Sequence, residues 1–373
     1  MSLSSEDSFR LNVLLANKPQ AIRIDESKMI VYGLSDKGEA KVQLNPVGPL
    51  DPYVRKVKEL ISGHILGSPG GYPVYLRRWT RMGQMRDESL EQLLMLGEAE
   101  AVVAAVCSPG LTDELARRAW WAMEDAENAR SMLANPAVVR GTMGKVLAAY
   151  LVEFLPFETE TDKMMESVRL VLQAGLIDDA QRAGLWKKAG RKQAYQVGFL
   201  QGIPDHLPEP QPGRQLEGKG AETLRQLAGQ GNVCARLLER IYAPGGQTFA
   251  AIASGVLGRP PSQDVVTALF DVLRNYFVDL RPDGDPDLSL EELTADAQRW
   301  GQGDGVPDSV GECLDAVPAT SNDVVAARLL SGLGYGVIRP FLRDSSVIGS
   351  LMRRKITPVV APIQHQLAVL RGN

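Results

Sequence analysis

The chain has 373 residues, 44% of them hydrophobic and 23% charged, with a formal net charge of −4. These are ordinary globular values, and the length exceeds what one core usually serves, so several domains or a repeat array are expected. The mild acidity excludes a whole-protein argument for nucleic acid, no apolar run approaches the roughly 20 residues that cross a bilayer, and MSLSSEDSFR carries acids where a secretory leader needs bases; a cytoplasmic protein without membrane insertion is expected.

In chain order, the first signals are β-rich runs: AIRID, KMIVYGL and EAKVQLN, the last two separated by SDKG, with Gly38 available for positive φ. They predict a small antiparallel meander over residues 20–46. A helix is expected over DPYVRKVKELISGHIL, with Asp51 as N-cap, Pro52 in the first turn, and Tyr53, Val57, Leu60 and Ile61 on one face. GSPGG, Gly67–Gly71, breaks the chain, and from about Asp87 the periodicity is helical almost throughout.

The helical part repeats itself. GLTDELARRAWWAMEDAENA from Gly110 matches GLIDDAQRAGLWKKAGRKQA from Gly175 at Gly, Leu, Asp, Arg, Trp and Ala, the pairs including Asp113/Asp178, Arg117/Arg182 and Trp121/Trp186. SQDVVTALFDVLRNYFV from Ser262 likewise matches SNDVVAARLLSGLGYGV from Ser321. Ser262 and Ser321 are expected to cap their helices, with acids in the first turn. A repeat length of about 60 residues suits three or four helices per unit. The fold class predicted is therefore mainly α, a duplicated helical array with a small N-terminal antiparallel β meander. The organisation expected is a subdomain over 1–66, a helical domain over 67–205, a proline-rich linker or long surface loop ending at residue 220 (206–220 in the domain division), and a second helical domain over 221–373. GQGDGVPDS makes a shorter break at Gly301–Ser309.

The alignment also speaks to the adjacent Trp120 and Trp121. Their counterparts are Leu185 and Trp186. A wedge packed between helices tolerates a leucine where a stacking platform does not, so both tryptophans are expected in the core. The acids that follow become Lys187, Lys188, Arg191 and Lys192 in the second copy, which marks solvated positions.

Chemistry is sparse. The three histidines, His64, His206 and His365, have no ligand spacing, and neither HExxH, GxSxG nor a phosphate loop occurs, so no metal or other cofactor is expected. DGDPDLSLEEL opens like a calcium loop with Asp283, Asp285 and Asp287, but Leu288 stands where the glycine should be and Thr294 where the closing glutamate should be. Ser289 with Glu292 reads instead as a capping box. SGLGYGV has the wrong spacing for a dinucleotide site and suits close helix packing. The three cysteines, Cys107, Cys234 and Cys313, lack any CxxC and each adjoins apolar residues, so three buried free thiols are expected; Cys107 and Cys234 sit in apolar runs, and Cys313, in GECLD, is the one candidate for an exposed thiol. The densest candidate site is GSPGGYPVYLRRWTRMGQMR, where Tyr72, Tyr75 and Trp79 interleave with Arg77, Arg78, Arg81 and Arg86. Such a segment suits an anionic partner or RNA, or else a packing junction between the meander and the helices.

GGYPVYLRRWTRMGQMRDESLEQLLMLGE and ARRAWWAMEDAENAR resemble the DsrS family, soluble cytoplasmic proteins encoded with the dissimilatory sulfite reductase genes of sulfur-oxidising bacteria. The resemblance implies an accessory or regulatory part in oxidising stored sulfur, with other sulfur-oxidation proteins as partners, and implies no catalytic residues. A non-enzymatic protein acting through protein or RNA binding is the function expected. The alternative is a sulfur-transfer or persulfide-handling enzyme using a cysteine, Cys313 by the sequence.

Overall fold

A computed structural model describes residues 3–72, 87–216, 219–281, 285, 287–342 and 349–372. The chain is mainly helical with a three-stranded antiparallel meander near its N-terminus. It divides into two compact units, Met1–Pro156 with Gln173–Ile177, and Phe157–Leu172 with Asp178–Asn373.

The first unit begins with a helix that the sequence reading missed, α1 (Ser5–Ala16). Its signals were present. Ser4 accepts from the Asp7 amide as N-cap, two acids fill the first turn, and Leu11, Leu14 and Leu15 are buried at helical spacing. The meander follows as β1 (Ala21–Asp25), β2 (Ile30–Ser35) and β3 (Gly38–Gln43), in the order 1-2-3. Ser35 pairs with Gly38 across the two-residue turn, and Gly38 has φ 105°, a value that an L side chain resists. Register places Ile22 beside Gly33 and Ile24 beside Val31 on one face, and Arg23 beside Tyr32 on the other. The apolar face packs on α1 and on α2 (Leu50–Leu66), forming a core of Leu11, Leu14, Ile22, Val31, Tyr53 and Val57 among others. Asp7 is buried in that core and accepts from the Asn45 amide at 2.9 Å and from the Tyr53 hydroxyl. Burial pushes its carboxyl up, but these hydrogen bonds outweigh burial and hold it below the ordinary range.

α2 starts one residue before the expected cap: Pro49 occupies the N-cap position and Asp51 lies in the first turn. Among the described residues the first unit continues with α3 (Asp87–Leu94), α4 (Ala99–Val106), α5 (Asp113–Ala122), α6 (Ala126–Leu133), α7 (Pro136–Arg140) and α8 (Met143–Phe154). Capping fixes several of these starts, with Thr112, Asp125 and Asn135 each accepting from a first-turn amide. Asp113 also reaches the start of α8, accepting from the Thr142 and Met143 amides.

The second unit holds α9 (Thr161–Val171), α10 (Asp179–Ala189), α11 (Gln193–Gly202), α12 (Gly220–Gly229), α13 (Val233–Tyr242), α14 (Pro244–Gly258), α15 (Gln263–Tyr276), α16 (Leu290–Gly301), α17 (Asp308–Ala316), α18 (Ser321–Leu330), α19 (Tyr335–Leu342) and α20 (Gly349–Arg371). Tyr195, Phe199, Phe249, Phe270 and Phe277 are its largest fully buried side chains. Phe249 stacks on Tyr276 with centroids 4.0 Å apart. The proline-rich segment after α11 is held against this unit. Asp205 binds the Arg240 guanidinium and the Tyr276 hydroxyl, the Gln211 amide donates to Thr248, and Arg214 pairs with Asp323.

The repeat copies differ in ways that local chemistry explains. Asp178 caps α10 in a full capping box with Gln181, whereas its counterpart Asp113 lies one residue inside α5 and Thr112 is the cap. Ser262 caps α15 as expected, but Ser321 is already the first residue of α18, with Thr320 in the cap position and the Ser321 hydroxyl donating to the Gly301 carbonyl at 2.8 Å. The copy from Ser262 runs as one helix to Tyr276, while the copy from Ser321 breaks after Leu330 at the glycines of SGLG. Close packing does explain that glycine run in part: a Cβ on Gly332 would run into Leu293 and meet Arg281 Nε at 2.9 Å. The capping box of Ser289 with Glu292 is present at the start of α16, whereas Asp283 lies outside the described residues.

Candidate functional site

Of the segment expected to bind a partner, only Tyr72 is described; Tyr75, Arg77, Arg78, Trp79, Arg81 and Arg86 lie outside the described residues. The Tyr72 amide donates to Glu98 at 3.1 Å, and the Gly71 amide to Ser62 at 2.8 Å. Gly71 is required there, because its φ is 58° and an added Cβ would coincide with the Glu98 carboxylate. Glu98 in turn lines a cleft of the first unit.

That cleft has a volume of about 710 Å³ and opens between β1–β2, Lys58 of α2, the start of α4 and the end of α5. Arg23 is part of its lining. Tyr32, its partner across the sheet, lies 4.7 Å from the guanidinium by ring centroid, and Trp121 lies 5.0 Å away. Arg23 donates to the Trp121 carbonyl at 3.3 Å, and Trp121 Nε1 donates to Glu39 at 3.0 Å. A cation over two aromatic faces and at the end of a helix is favoured by both arrangements. Around it the lining alternates in sign: Asp25, Glu26, Glu98 and Glu100 against Lys28 and Lys58. Ser27 and the Lys28 amide both donate to Asp25, which holds its carboxyl down at about 2. Burial pushes Glu98 up, only partly offset by the Tyr72 amide and the charge of Lys58.

The opposed shifts allow a test. Glu98 ionises at a cost in the folded state, so its charge weakens the fold at neutral pH and does so no longer once it is protonated. Glu98→Gln, which keeps an acceptor for Tyr72, is expected to raise Tm by a degree or two at pH 7, the gain vanishing as pH falls below the ordinary value of 4.5. A variant no more stable than wild type at pH 7 would refute this.

The tryptophan pair divides. Trp120 is buried and meets Tyr150 edge-on at 4.8 Å, as expected of a core wedge. Trp121 is half-buried and belongs to the cleft through Arg23, which corrects its assignment to the core. The same division holds in the other copy, where Leu185 is buried and half-buried Trp186 meets Phe199 at 5.0 Å. The acids and bases that follow are solvated as expected at Glu124, Glu127, Lys187, Lys188, Arg191 and Lys192, while Asp125 caps α6.

The thiols are buried as expected with one exception, and the exception is not the candidate that the sequence offers. Cys313 is fully buried, as is Cys234, and Cys107 is the exposed one. Cys107 lies 3.9 Å from the Ser131 hydroxyl. All three histidines are exposed, and among the described residues no three His, Cys, Asp or Glu side chains are grouped to hold a metal.

Sequence reasoning did not single out Arg23, Tyr32, Glu39 or Glu98. For the strand residues the signal was available, since alternation along AIRID and IVYGLS sends Arg23 and Tyr32 away from the apolar face. Nothing local indicates that α5 lies over that polar face.

Among the described residues no helix is long and apolar enough to cross a membrane. The fold and cleft define a mainly helical protein with a charged cleft beside its N-terminal meander. No protein-family model matches the chain, and no curated protein or solved structure does either.

Proposed function

We propose that this chain is a non-enzymatic accessory or regulatory protein of cytoplasmic dissimilatory sulfur oxidation, acting by binding another protein through the first-unit cleft. The observation that carries the binding role is the clamped Arg23 within a lining of alternating charge, a surface suited to pairing with a polar partner chain. The sulfur-oxidation setting rests on the resemblance of the Gly70 and Ala116 segments to the DsrS family. RNA is the other partner the arginine-rich segment suits.

The test is affinity capture from sulfur-grown cells, with and without nuclease, comparing wild type with a Lys28→Glu, Lys58→Glu double variant. Capture of a sulfur-oxidation protein, lost in the variant while it still unfolds cooperatively at a Tm lowered by a few degrees, is the expected result. Equal capture by both proteins would reject the cleft, and capture abolished by nuclease would make RNA the partner.

The persulfide reading keeps one observation in its favour, the exposure of Cys107. Native thiol labelling is expected to modify Cys107 first, with Cys234 and Cys313 reacting only after unfolding. If Cys107→Ser leaves partner capture intact but abolishes sulfur transfer from a persulfide donor, the enzymatic alternative replaces the binding role.

A further inference from the structure

The second unit has its own cleft, of about 710 Å³, lined by Asp296, Arg299, Trp300, Asp304, Val306 and Arg328 together with Gly305 and Pro307. Three guanidinium groups share one carboxylate at its floor. Arg281 and Arg328 each donate to Asp296 Oδ2 at 2.8 Å, and Arg299 lies 3.6 Å from Oδ1. Arg281 and Arg328 are each only 8% exposed. Arg328 stands 3.9 Å above the Trp300 ring and donates to the Leu280 carbonyl. Arg299 is the outer member, its side chain 64% exposed, and it reaches Asp296 with a long contact.

A guanidinium carries five N–H donors in a planar fork that matches an oxyanion. At Arg328, Nε and Nη1 are engaged, and the side chain still reaches the cleft. Asp296 divides its charge among three cations, so neither Arg328 nor Arg299 is neutralised by a carboxylate of its own. Asp304 is exposed at the rim and contributes the other acid of the lining. The floor is rigid, because Arg328 is fixed by the indole beneath it, by Asp296 and by a backbone carbonyl. A preorganised, partly desolvated cation binds an anion more tightly than a free surface arginine does.

We propose that this cleft binds an oxyanion group of the phosphate or sulfate type, held by Arg328 and Arg299 beside Trp300. The group arrives as a free inorganic ion or as one end of a small organic molecule; the volume leaves room for the latter.

Calorimetric titration of the full chain with inorganic phosphate, sulfate and adenosine monophosphate, against sodium chloride of equal ionic strength, tests this. Saturable binding of at least one of the three is expected, and stronger binding of the monophosphate than of phosphate identifies an organic ligand. Arg299→Gln, on an exposed side chain that the fold does not need, is expected to weaken binding about fivefold, and Asp304→Asn to strengthen it by a similar factor. Binding should change Trp300 fluorescence, a change lost in Trp300→Phe. Heats no larger than those of sodium chloride, or affinities unmoved by both charge variants, would overturn the proposal.

Discussion

Replacing Asp296 with alanine is expected to lower the stability of the second unit by about 3 kcal/mol, toward the lower end of what removing one partner of a buried pair costs. The carboxylate is the common partner of Arg281 and Arg328, which are both buried, and its loss removes the negative charge they share. Burial pushes the Asp296 carboxyl up, but the hydrogen bond and charge of Arg328, reinforced by Arg281, win and hold it below its ordinary 3.8. A depressed carboxylate stabilises the fold at pH above that ordinary value and loses its contribution as pH falls through the folded value. The difference between wild type and Asp296→Ala in urea denaturation should therefore be full at neutral pH and shrink in acid. A loss below about 1 kcal/mol at pH 7 would place the two guanidinium groups in water rather than in the protein.

Asp323→Ala is expected to be nearly as damaging, and through a different route. Asp323 is buried and holds Arg214 with two contacts, at 2.6 and 3.3 Å. The same guanidinium donates to the Val369 and Leu370 carbonyls, which lie near the C-terminal end of α20, and stands 4.8 Å from the Tyr242 ring. One side chain thus ties the proline-rich loop to α18 and to the last turn of α20, satisfying carbonyls that a helix end leaves open. Without Asp323 the cation is left partly buried and uncompensated, at a cost of about 3 kcal/mol. Hydrogen exchange should quicken by about a hundredfold at the amides that depend on this tie: Arg214, bonded to the Tyr242 carbonyl, Gln211, bonded to Thr248, and Gly372, bonded to the Val369 carbonyl. Acceleration spread evenly over the unit, with no excess at these amides, would mean that the loop is held by its other contacts.

The contrast with the sequence reading is clearest in these ties. Four prolines within Gln201–Gly220 and the polar residues around them read as a linker or a loop. A sequence shows which residues resist helix, but not that Arg214 will find Asp323 more than a hundred positions away. The Trp120–Trp121 pair teaches the same lesson on a shorter scale. Helical spacing turns adjacent side chains about 100° apart, so they were bound to face different surroundings; the placement of a β strand beside the second made it a partner for Arg23. GECLD looks polar in sequence, which made Cys313 the candidate for an exposed thiol, yet its helix turns the thiol inward beside Val310 and Leu314, which are buried too.

By itself the sequence determined the elements: the meander through its alternation and the SDKG turn, most helices through apolar periodicity and side-chain caps, and the mainly helical class through both. These follow from interactions within a few residues, which the order of residues states directly. Tertiary structure alone decided which charged groups meet. The clamp on Arg23, the shared carboxylate of Asp296 and the tie at Asp323 join residues far apart in the chain, and their energies depend on distance and on exclusion of water, neither of which is written in local order.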